Sequence, residues 1–472
     1  MNTISRPKRW QMRASERVAI LIIGDFLVAA LALFFALYIW AAGDAWMKFS
    51  MEFIIDRPPF WYFLLPFMWI ILLVELYDIH RASNHRETFK GIGLATLIFT
   101  LIYLLLYFTS APNSLPRRGV SVFILLAAVF TLVWRLIYIR MFTAPHLLRR
   151  VLIIGAGNAG QTLIDVISDL WPPPFFTVGL VDDDPEKLGA EIGKYSVLGN
   201  SHQLLDLINE KQVTDLILAI SGEIKGSMFQ AILSAQEMGI ILSPMPQVYE
   251  ELLSRVPIFL LEAEWIVRSF VEKTNTSTFY HLSKSLLDFI GGLVGSLIMA
   301  VFFPWISLAI LLESGFPIFF SQERLGRGGQ PFKIFKFRTM ERDAERDGFA
   351  RMAEENDQRV TRVGRFLRKT HLDELPQFIN VLRGEMSLVG PRAERPEMVV
   401  NFQKEIPFYR ARLLVKPGIT GWAQINYGYA GTVKETAIKL EYDLYYIEHR
   451  NLLMDISIIL RTIGTVLGFK GQ

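Results

Sequence analysis

Asp373 and Glu374 stand side by side in the stretch KTHLDELPQFINVLRGEMSLVGPR, Lys369–Arg392. Neighbouring carboxylates can act as nucleophile, as general base or as ligands for a hard divalent cation. Basic residues crowd both flanks: Arg365, Arg368 and Lys369 before the pair, Arg383 and Arg392 after it. Pro376 and Gly384 bracket the apolar Phe378, Ile379, Val381 and Leu382, which predicts a short helix from about Glu374 to Arg383. Asp373 then falls at or near the N-cap, at the positive end of the helix dipole, where a carboxylate or a phosphate is favoured. A capped, solvated helix has the same local signature, so the chemical reading rests on the surrounding residues.

Upstream, FFSQERLGRGGQPFKIFKFRTM (Phe319–Met340) alternates Phe332, Ile334, Phe335 and Phe337 with Lys333, Lys336 and Arg338, which predicts a strand with a basic face. Such a face suits phosphate or anionic lipid. A charged helix is expected over Glu341–Asp357. Downstream, VKPGITGWAQINYGY (Val415–Tyr429) is turn-rich, and its Trp422 and Tyr427 are of a type that stacks on a base or sugar.

These residues must be carried by a chain that is 51% hydrophobic, with a mean hydropathy of +0.31, which points to membrane segments. The absence of cysteine excludes disulfides and thiolate metal sites, and a net charge of +3 gives no reason to expect nucleic acid. Four apolar stretches come early, Val18–Ala42, Phe60–Tyr77, Ile92–Thr109 and Val120–Ile139. Each has the length to cross a hydrocarbon core of roughly 30 Å as a helix. Lys and Arg are concentrated in the leader, in the second loop and after Arg140, which predicts that the N-terminus and everything beyond the fourth span are cytoplasmic. Asp25 and Glu75, inside or at the edge of spans, are expected to make structural polar contacts.

The next segment, VLIIGAGNAG (Val151–Gly160), is a buried-strand run that leads into Gly155, Gly157 and Gly160 at the G-x-G-x-x-G spacing. Such glycines permit a tight turn and a close approach of pyrophosphate to a helix N-terminus, so these three are candidate nucleotide-binding positions. Strands are expected at Phe176–Asp184, Asp215–Ile220 and Gly239–Ser243, which makes a Rossmann-like α/β domain. The acids Asp182–Asp184 fit either a ribose contact or an acidic turn before Pro185. A second membrane element, Leu286–Leu312, contains Pro304 past its midpoint. A plain span would put the basic C-terminal region outside, against the charge rule. A helix-break-helix that enters and leaves on one face removes the conflict. The domains are therefore 1–145 (transmembrane), 146–272 (Rossmann-like) and 273–472 (re-entrant helix and catalytic domain).

From about Lys284 to the C-terminus the chain resembles the bacterial sugar transferases, monotopic polyprenyl-phosphate phosphoglycosyl transferases. The resemblance is carried by KIFKFRTM, RFLRKTHLDELPQFINVLRGEMSLVGPR, KPGITGWAQ and YDLYYI in that order. It implies a fold of four N-terminal transmembrane helices, a Rossmann-like middle domain and a re-entrant helix with a mainly α cytoplasmic catalytic domain. It also implies transfer of a sugar-1-phosphate from a UDP-sugar to undecaprenyl phosphate in the bacterial inner membrane. Asp373 matches the nucleophile, Glu374 the second acid and Mg²⁺ ligand, and Lys336, Arg368 and Arg392 the cations around the phosphates. Arg338, Gly418, Thr420, Gly421 and Trp422 are substrate-side candidates. Two positions depart from the family pattern: Phe303 precedes Pro304 where serine is usual, and Ala393 follows Arg392 where proline is usual. The GITGWAQ segment leans toward glucose as the sugar, and a dimer through the middle domain is expected. A membrane-anchored nucleotide-sugar dehydratase or epimerase is the rival reading. It needs a Tyr-x-x-x-Lys base, for which Tyr280 and Lys284 have the spacing. A non-enzymatic assembly or regulatory subunit is a further alternative.

Overall fold

The computed structural model describes residues 14–43, 46, 48–77, 79–109, 116–142, 148–171, 173–220, 222–224, 226–260, 278–341, 357, 359–428 and 432–467. The helix expected over Glu341–Asp357 therefore lies almost wholly outside the described residues, as does the side chain of Glu75. The chain divides into two compact units, Met1–Glu251 and Leu252–Gln472.

In the first unit, α1 (Ala14–Ala42), α2 (His85–Thr109) and α3 (Arg117–Phe142) are each long and apolar enough to cross a membrane. Ala29, Ala32 and Ala36 of α1 share one buried cluster with Val120, Phe123 and Ala127 of α3, the small side chains allowing close helix approach. Asp25 on α1 and Arg135 on α3 form a fully buried pair at 2.6 Å, and Arg135 also donates to the Leu76 carbonyl. Asp25 thus holds two helices together, as expected of a structural contact. The second predicted span is different. Phe60–Leu64 is a 3-10 turn, Leu65–Leu72 a short α-helix and Val74–Tyr77 another 3-10 turn. Pro66 has no N–H to donate and resets the helix at its first turn. The apolar helix Phe60–Leu72 is about 20 Å long at 1.5 Å per residue, short of the hydrocarbon core.

The middle domain is built as predicted around β1 (Arg150–Ile154). The loop after β1 opens α4 (Asn158–Asp169). Next come β2 (Phe176–Val181), β3 (Glu191–Ile192), β4 (Tyr195–Gly199), β5 (Asp215–Leu218) and β6 (Ile241–Pro244). The sheet order is β3-β4-β2-β1-β5-β6, parallel except for the β3–β4 pair. The order reverses direction at β1, the switch point of a doubly wound sheet. Gly155 has a φ of 107°, and a side chain there would meet the Ala219 carbonyl, so glycine is required by packing. Gly157, by contrast, faces open space.

Asp182 does not face a ribose site. Its Oδ2 accepts the Ala156 N–H of the glycine loop at 2.7 Å, and its Oδ1 accepts the Asp184 N–H at 2.9 Å. Burial pushes this carboxyl upward, but the two main-chain donors and Lys187 outweigh it and hold the carboxyl below its usual range. The stability it contributes is present above the unfolded pKa near 3.9 and is lost as pH falls through the folded value. Asp182→Ala should therefore cost about 1–2 kcal/mol at pH 7. Melting curves at descending pH should show that difference shrinking below about pH 4.

The second unit starts earlier than residue 273. Val256 and Ile258 are buried in its core, and the Val256 N–H donates to the Glu441 carbonyl. Its elements are α5 (Thr278–Ser314), β7 (Phe319–Leu325), β8 (Pro331–Phe337), α6 (Arg362–Lys369), α7 (Gln377–Leu382), β9 (Ser387–Val389), β10 (Gly418–Thr420), α8 (Val433–His449) and α9 (Leu452–Leu467). β7 and β8 form an antiparallel hairpin, and β9 and β10 a parallel pair. The expected basic face of β8 is divided. Ile334 enters the main core, Phe337 enters a second cluster with Leu367, and successive residues alternate sides, so Lys333 and Lys336 point oppositely.

The chain stays helical through the predicted break at Pro304: α5 is one helix of 37 residues with Pro304 inside it. Asp288, Gly292, Gly295, Ile306 and Ile310 are buried along one stripe, while Phe289, Leu293, Leu297, Val301, Trp305 and Leu308 are exposed. Asp288 accepts from the Ser387 hydroxyl and the Leu388 N–H, Gly295 abuts Phe378, and Ile306 and Ile310 pack with Phe337 and Leu367. From Asp288 to Ile310 the helix therefore lies on the globular part of its own unit and presents its apolar side outward.

Candidate active site

The acidic pair sits where α6 ends. Thr361 caps α6 by accepting the Gly364 N–H. The helix is closed by His371, which takes the left-handed conformation (φ 57°) that a helix C-terminus usually assigns to glycine. The chain then turns through a 3-10 element, Leu372–Glu374, rather than the predicted N-cap, and α7 begins at Gln377. This sharp reversal puts the two carboxylates in different surroundings. A side chain on Gly364 would collide with the Thr339 backbone, so α6 can press against that segment only at glycine. Gly364→Ala should cost about 1–3 kcal/mol by overpacking and lower activity with it. Thermal melting beside a turnover assay checks this.

Glu374 is the paired acid. Its Oε1 receives Lys336 Nζ at 2.6 Å and Arg392 Nη2 at 3.1 Å. Burial opposes its ionisation, but Lys336 and Arg392 win and hold it far below the usual carboxylate range. Asp373 is the unpaired acid: it is 7% exposed and, among the described residues, accepts no hydrogen bond. Burial pushes its carboxyl up to about 6, against the pull of Lys336, Arg368 and Arg392 and with the push of Glu374. Arg368 donates to the Thr339 hydroxyl at 2.9 Å and lies within electrostatic reach of Asp373. Two neighbouring carboxylates, one neutralised and one buried with open lone pairs, meet three cations. That arrangement can deliver a nucleophile to a phosphoryl group while neutralising the charge that develops on it.

The strand that carries Lys336 is held by a residue not foreseen from sequence. Asn380, fully buried on α7, accepts the Phe335 N–H and donates to the Lys333 carbonyl and to Glu385. It locks β8 to the helix that follows the acids. A polar side chain in the apolar run FINVL was the available signal.

The other predicted substrate-side residues are not at the acids. Arg338 is buried, and one nitrogen donates to the Ser314 carbonyl (2.9 Å), the Ser314 hydroxyl (2.8 Å) and the Gly315 carbonyl. It caps the C-terminal end of α5, whose last carbonyls need donors. Trp422 is 8% exposed, stacks on Tyr445 and donates its indole N–H to the Ser254 carbonyl, so no base can stack on it. Thr420 shares a hydrogen bond with Thr462. Gly418 and Gly421 are pressed against the backbone of Gly390, where a side chain would collide. The KPGITGW segment thus backs the chain that carries Arg392. Within the second unit, Tyr280 and Lys284 both contact Asp455, at 3.1 Å and 3.2 Å.

Two family profiles match the chain: "Bacterial sugar transferase" over residues 279–469 and "CoA-binding domain" over residues 72–238. An Aeromonas hydrophila protein named UDP-N-acetylgalactosamine-undecaprenyl-phosphate N-acetylgalactosaminephosphotransferase is 44% identical over 42% of this chain and 46% of its own length. The chain thus spans about half the length of that relative. The UDP-glucose:undecaprenyl-phosphate glucose-1-phosphate transferase of Caulobacter vibrioides is 42% identical over 39% of this chain and 70% of its own length. The undecaprenyl-phosphate glucose phosphotransferase of Komagataeibacter xylinus is 29% identical over 83% of this chain and 73% of its own length. With more than two thirds of the Caulobacter protein matched at this identity, and the Asp373–Glu374 site inside the matched profile, the chain belongs to the bacterial sugar transferase family.

Proposed function

We propose that the protein transfers a sugar-1-phosphate from a UDP-sugar to undecaprenyl phosphate, releasing UMP. One observation carries this: a buried carboxylate that accepts no hydrogen bond among the described residues, Asp373, next to a carboxylate whose Oε1 receives both Lys336 and Arg392. Asp373 attacks the sugar-proximal phosphorus, the bond from that phosphorus to the bridging oxygen breaks, and UMP leaves. A phosphate oxygen of undecaprenyl phosphate then attacks the Asp373 acyl phosphate, which yields the polyprenyl-diphosphate sugar and frees the carboxylate. Lys336, Arg368 and Arg392 neutralise the phosphates, and Glu374 fixes two of these cations. Relatives named for glucose and for N-acetylgalactosamine both support a hexose, and the GITGWAQ segment favours glucose.

Mg²⁺ fits this site. The carboxylates of Asp373 and Glu374 are hard oxygen donors, and the buried Asp373 accepts no hydrogen bond among the described residues, while Mg²⁺ commonly takes one or two carboxylates plus substrate phosphates. Bound there, it would neutralise phosphate charge. In this reading α5 bends at Pro304, where a backbone donor is missing, and so enters and leaves the cytoplasmic leaflet of the inner membrane with its apolar side in lipid. The support is its contact with its own globular unit from Asp288 to Ile310, since a plain crossing would carry that unit into hydrocarbon. The middle domain acts as an interaction unit through which two copies pair, which light scattering in detergent would test.

The deciding assay is UMP release from a panel of UDP-sugars by the full-length protein in detergent, with Mg²⁺ and undecaprenyl phosphate. Lipid-dependent UMP release from one hexose is expected. Consumption of UDP-sugar without UMP would overturn the reading.

A further inference from the structure

We infer that Arg412 and Arg324 are positioning residues for Arg392: two largely buried guanidiniums that grip the main chain of Arg392–Ala393 and thereby fix where the Arg392 side chain meets Glu374. This rests on the transfer reading above.

Arg392 needs such help. It lies in a segment, residues 390–395, with neither helix nor strand, and its side chain is 49% exposed. Its only hydrogen bond among the described side-chain contacts goes to Glu374. The place of its guanidinium is therefore set by where the backbone is held. The backbone is held at almost every carbonyl. Val389 accepts from Lys284 (3.1 Å) and the Tyr446 hydroxyl (3.2 Å), and Pro391 accepts from the Gly418 N–H (2.9 Å). Arg392 accepts from Arg412 Nη2 (3.1 Å), Ala393 from Arg324 Nη1 (3.2 Å) and Glu394 from the Leu325 N–H (3.0 Å). A loop on a ladder would find such partners within the ladder. Here β7 supplies two, and β10, α5, α8 and the 409–414 turn supply one each.

Arg412 does more than fill space. One nitrogen donates to Glu394 Oε1 at 3.2 Å and to the Tyr409 hydroxyl at 2.7 Å. The other faces Asp443 at 2.9 Å while reaching the Arg392 carbonyl. The rigid, planar guanidinium spans these four partners at once, which a single ammonium cannot do. Arg324 is anchored in turn by Gln322 at 2.7 Å. The bland alternative is that Arg412 only satisfies Asp443 and Glu394 in the core. That role would lower stability without acting through Arg392.

The test is a mutant cycle on the full-length enzyme in detergent. It uses whichever UDP-sugar the wild type turns over, with UMP release read as kcat and KM and with melting temperatures alongside. Arg412→Lys should lower kcat by about 10- to 100-fold, the scale of a small misplacement of a phosphate-handling group. KM for the UDP-sugar should stay within about threefold. In an Arg392→Ala background, Arg412→Lys should change kcat by no more than about twofold, because the group it positions is gone. An equal fall in both backgrounds, or a wild-type kcat in Arg412→Lys, overturns the inference. If Arg412→Lys fails to melt cooperatively, Arg324→Gln enters the same cycle with the same expected and contrary results. Wild-type protein that releases no UMP from any UDP-sugar would sink the transfer reading itself, and this inference with it. An active wild type with additive variants sinks this inference alone.

Discussion

Asp373→Asn is expected to abolish sugar-phosphate transfer and to make the protein more stable. The first effect follows from role: an amide neither attacks phosphorus nor leaves as a carboxylate, so kcat should fall by at least about 10³-fold. The second follows from the environment. Burial lifts the Asp373 carboxyl to about 6, above its unfolded value near 3.9, so the folded chain holds this proton more tightly than the unfolded chain does. The corresponding stability is present below pH 4 and is lost as pH rises through about 6. At pH 7.5 the ionised carboxylate therefore costs the fold about 2–3 kcal/mol at most. Asparagine has no charge to bury and avoids that cost. Melting temperatures at pH 7.5 and pH 4.5 would show the variant well ahead at the first, with its lead cut to about a third at the second. A variant less stable than wild type at pH 7.5 would contradict the assignment of Asp373 as the strained, reactive acid.

The acidic pair was legible because two adjacent carboxylates amid five basic residues are a chemical statement in themselves, and the long co-linear resemblance gave Lys336, Arg368 and Arg392 their expected roles. What the residue types do not say is which partner claims each of them. Arg338 reads as one more cation on a basic strand, yet it stands one residue past the end of β8, where the carbonyls of Ser314 and Gly315 need a donor. Gly418 and Gly421 announce that something approaches their backbone closely. Spacing alone cannot tell a nucleotide from a neighbouring chain, and the neighbour is Gly390. Hydropathy summed over Phe60–Tyr77 reports a span, whereas the backbone divides that stretch into a 3-10 turn, a short helix that restarts at Pro66 and a second 3-10 turn. Arg412 and Asn380 had no signal beyond polarity, since the main-chain carbonyls they hold, Arg392 and Lys333, lie 20 and 47 residues away along the chain.

Lys336→Met should be the most damaging change that leaves both acids in place. Its ammonium lies 2.6 Å from Glu374 and is, after burial, the largest influence on the Asp373 carboxyl, which it pulls downward. Without it Glu374 retains only the half-exposed Arg392, and a partly buried carboxylate is left under-compensated, at a cost of about 1–3 kcal/mol. The loss of phosphate neutralisation should lower kcat by about 10²–10³-fold. The pH dependence carries a definite sign. Removing a cation disfavours the ionised form of Asp373, so its carboxyl climbs above about 6 and the acid limb of kcat/KM moves to higher pH. Lys336→Arg restores the charge without the compact ammonium and should recover the position of that limb more fully than the rate. The pH profiles of the three proteins, taken under single-turnover conditions, separate charge from geometry. An acid limb in Lys336→Met that stays put, with kcat within tenfold of wild type, would remove Lys336 from the site.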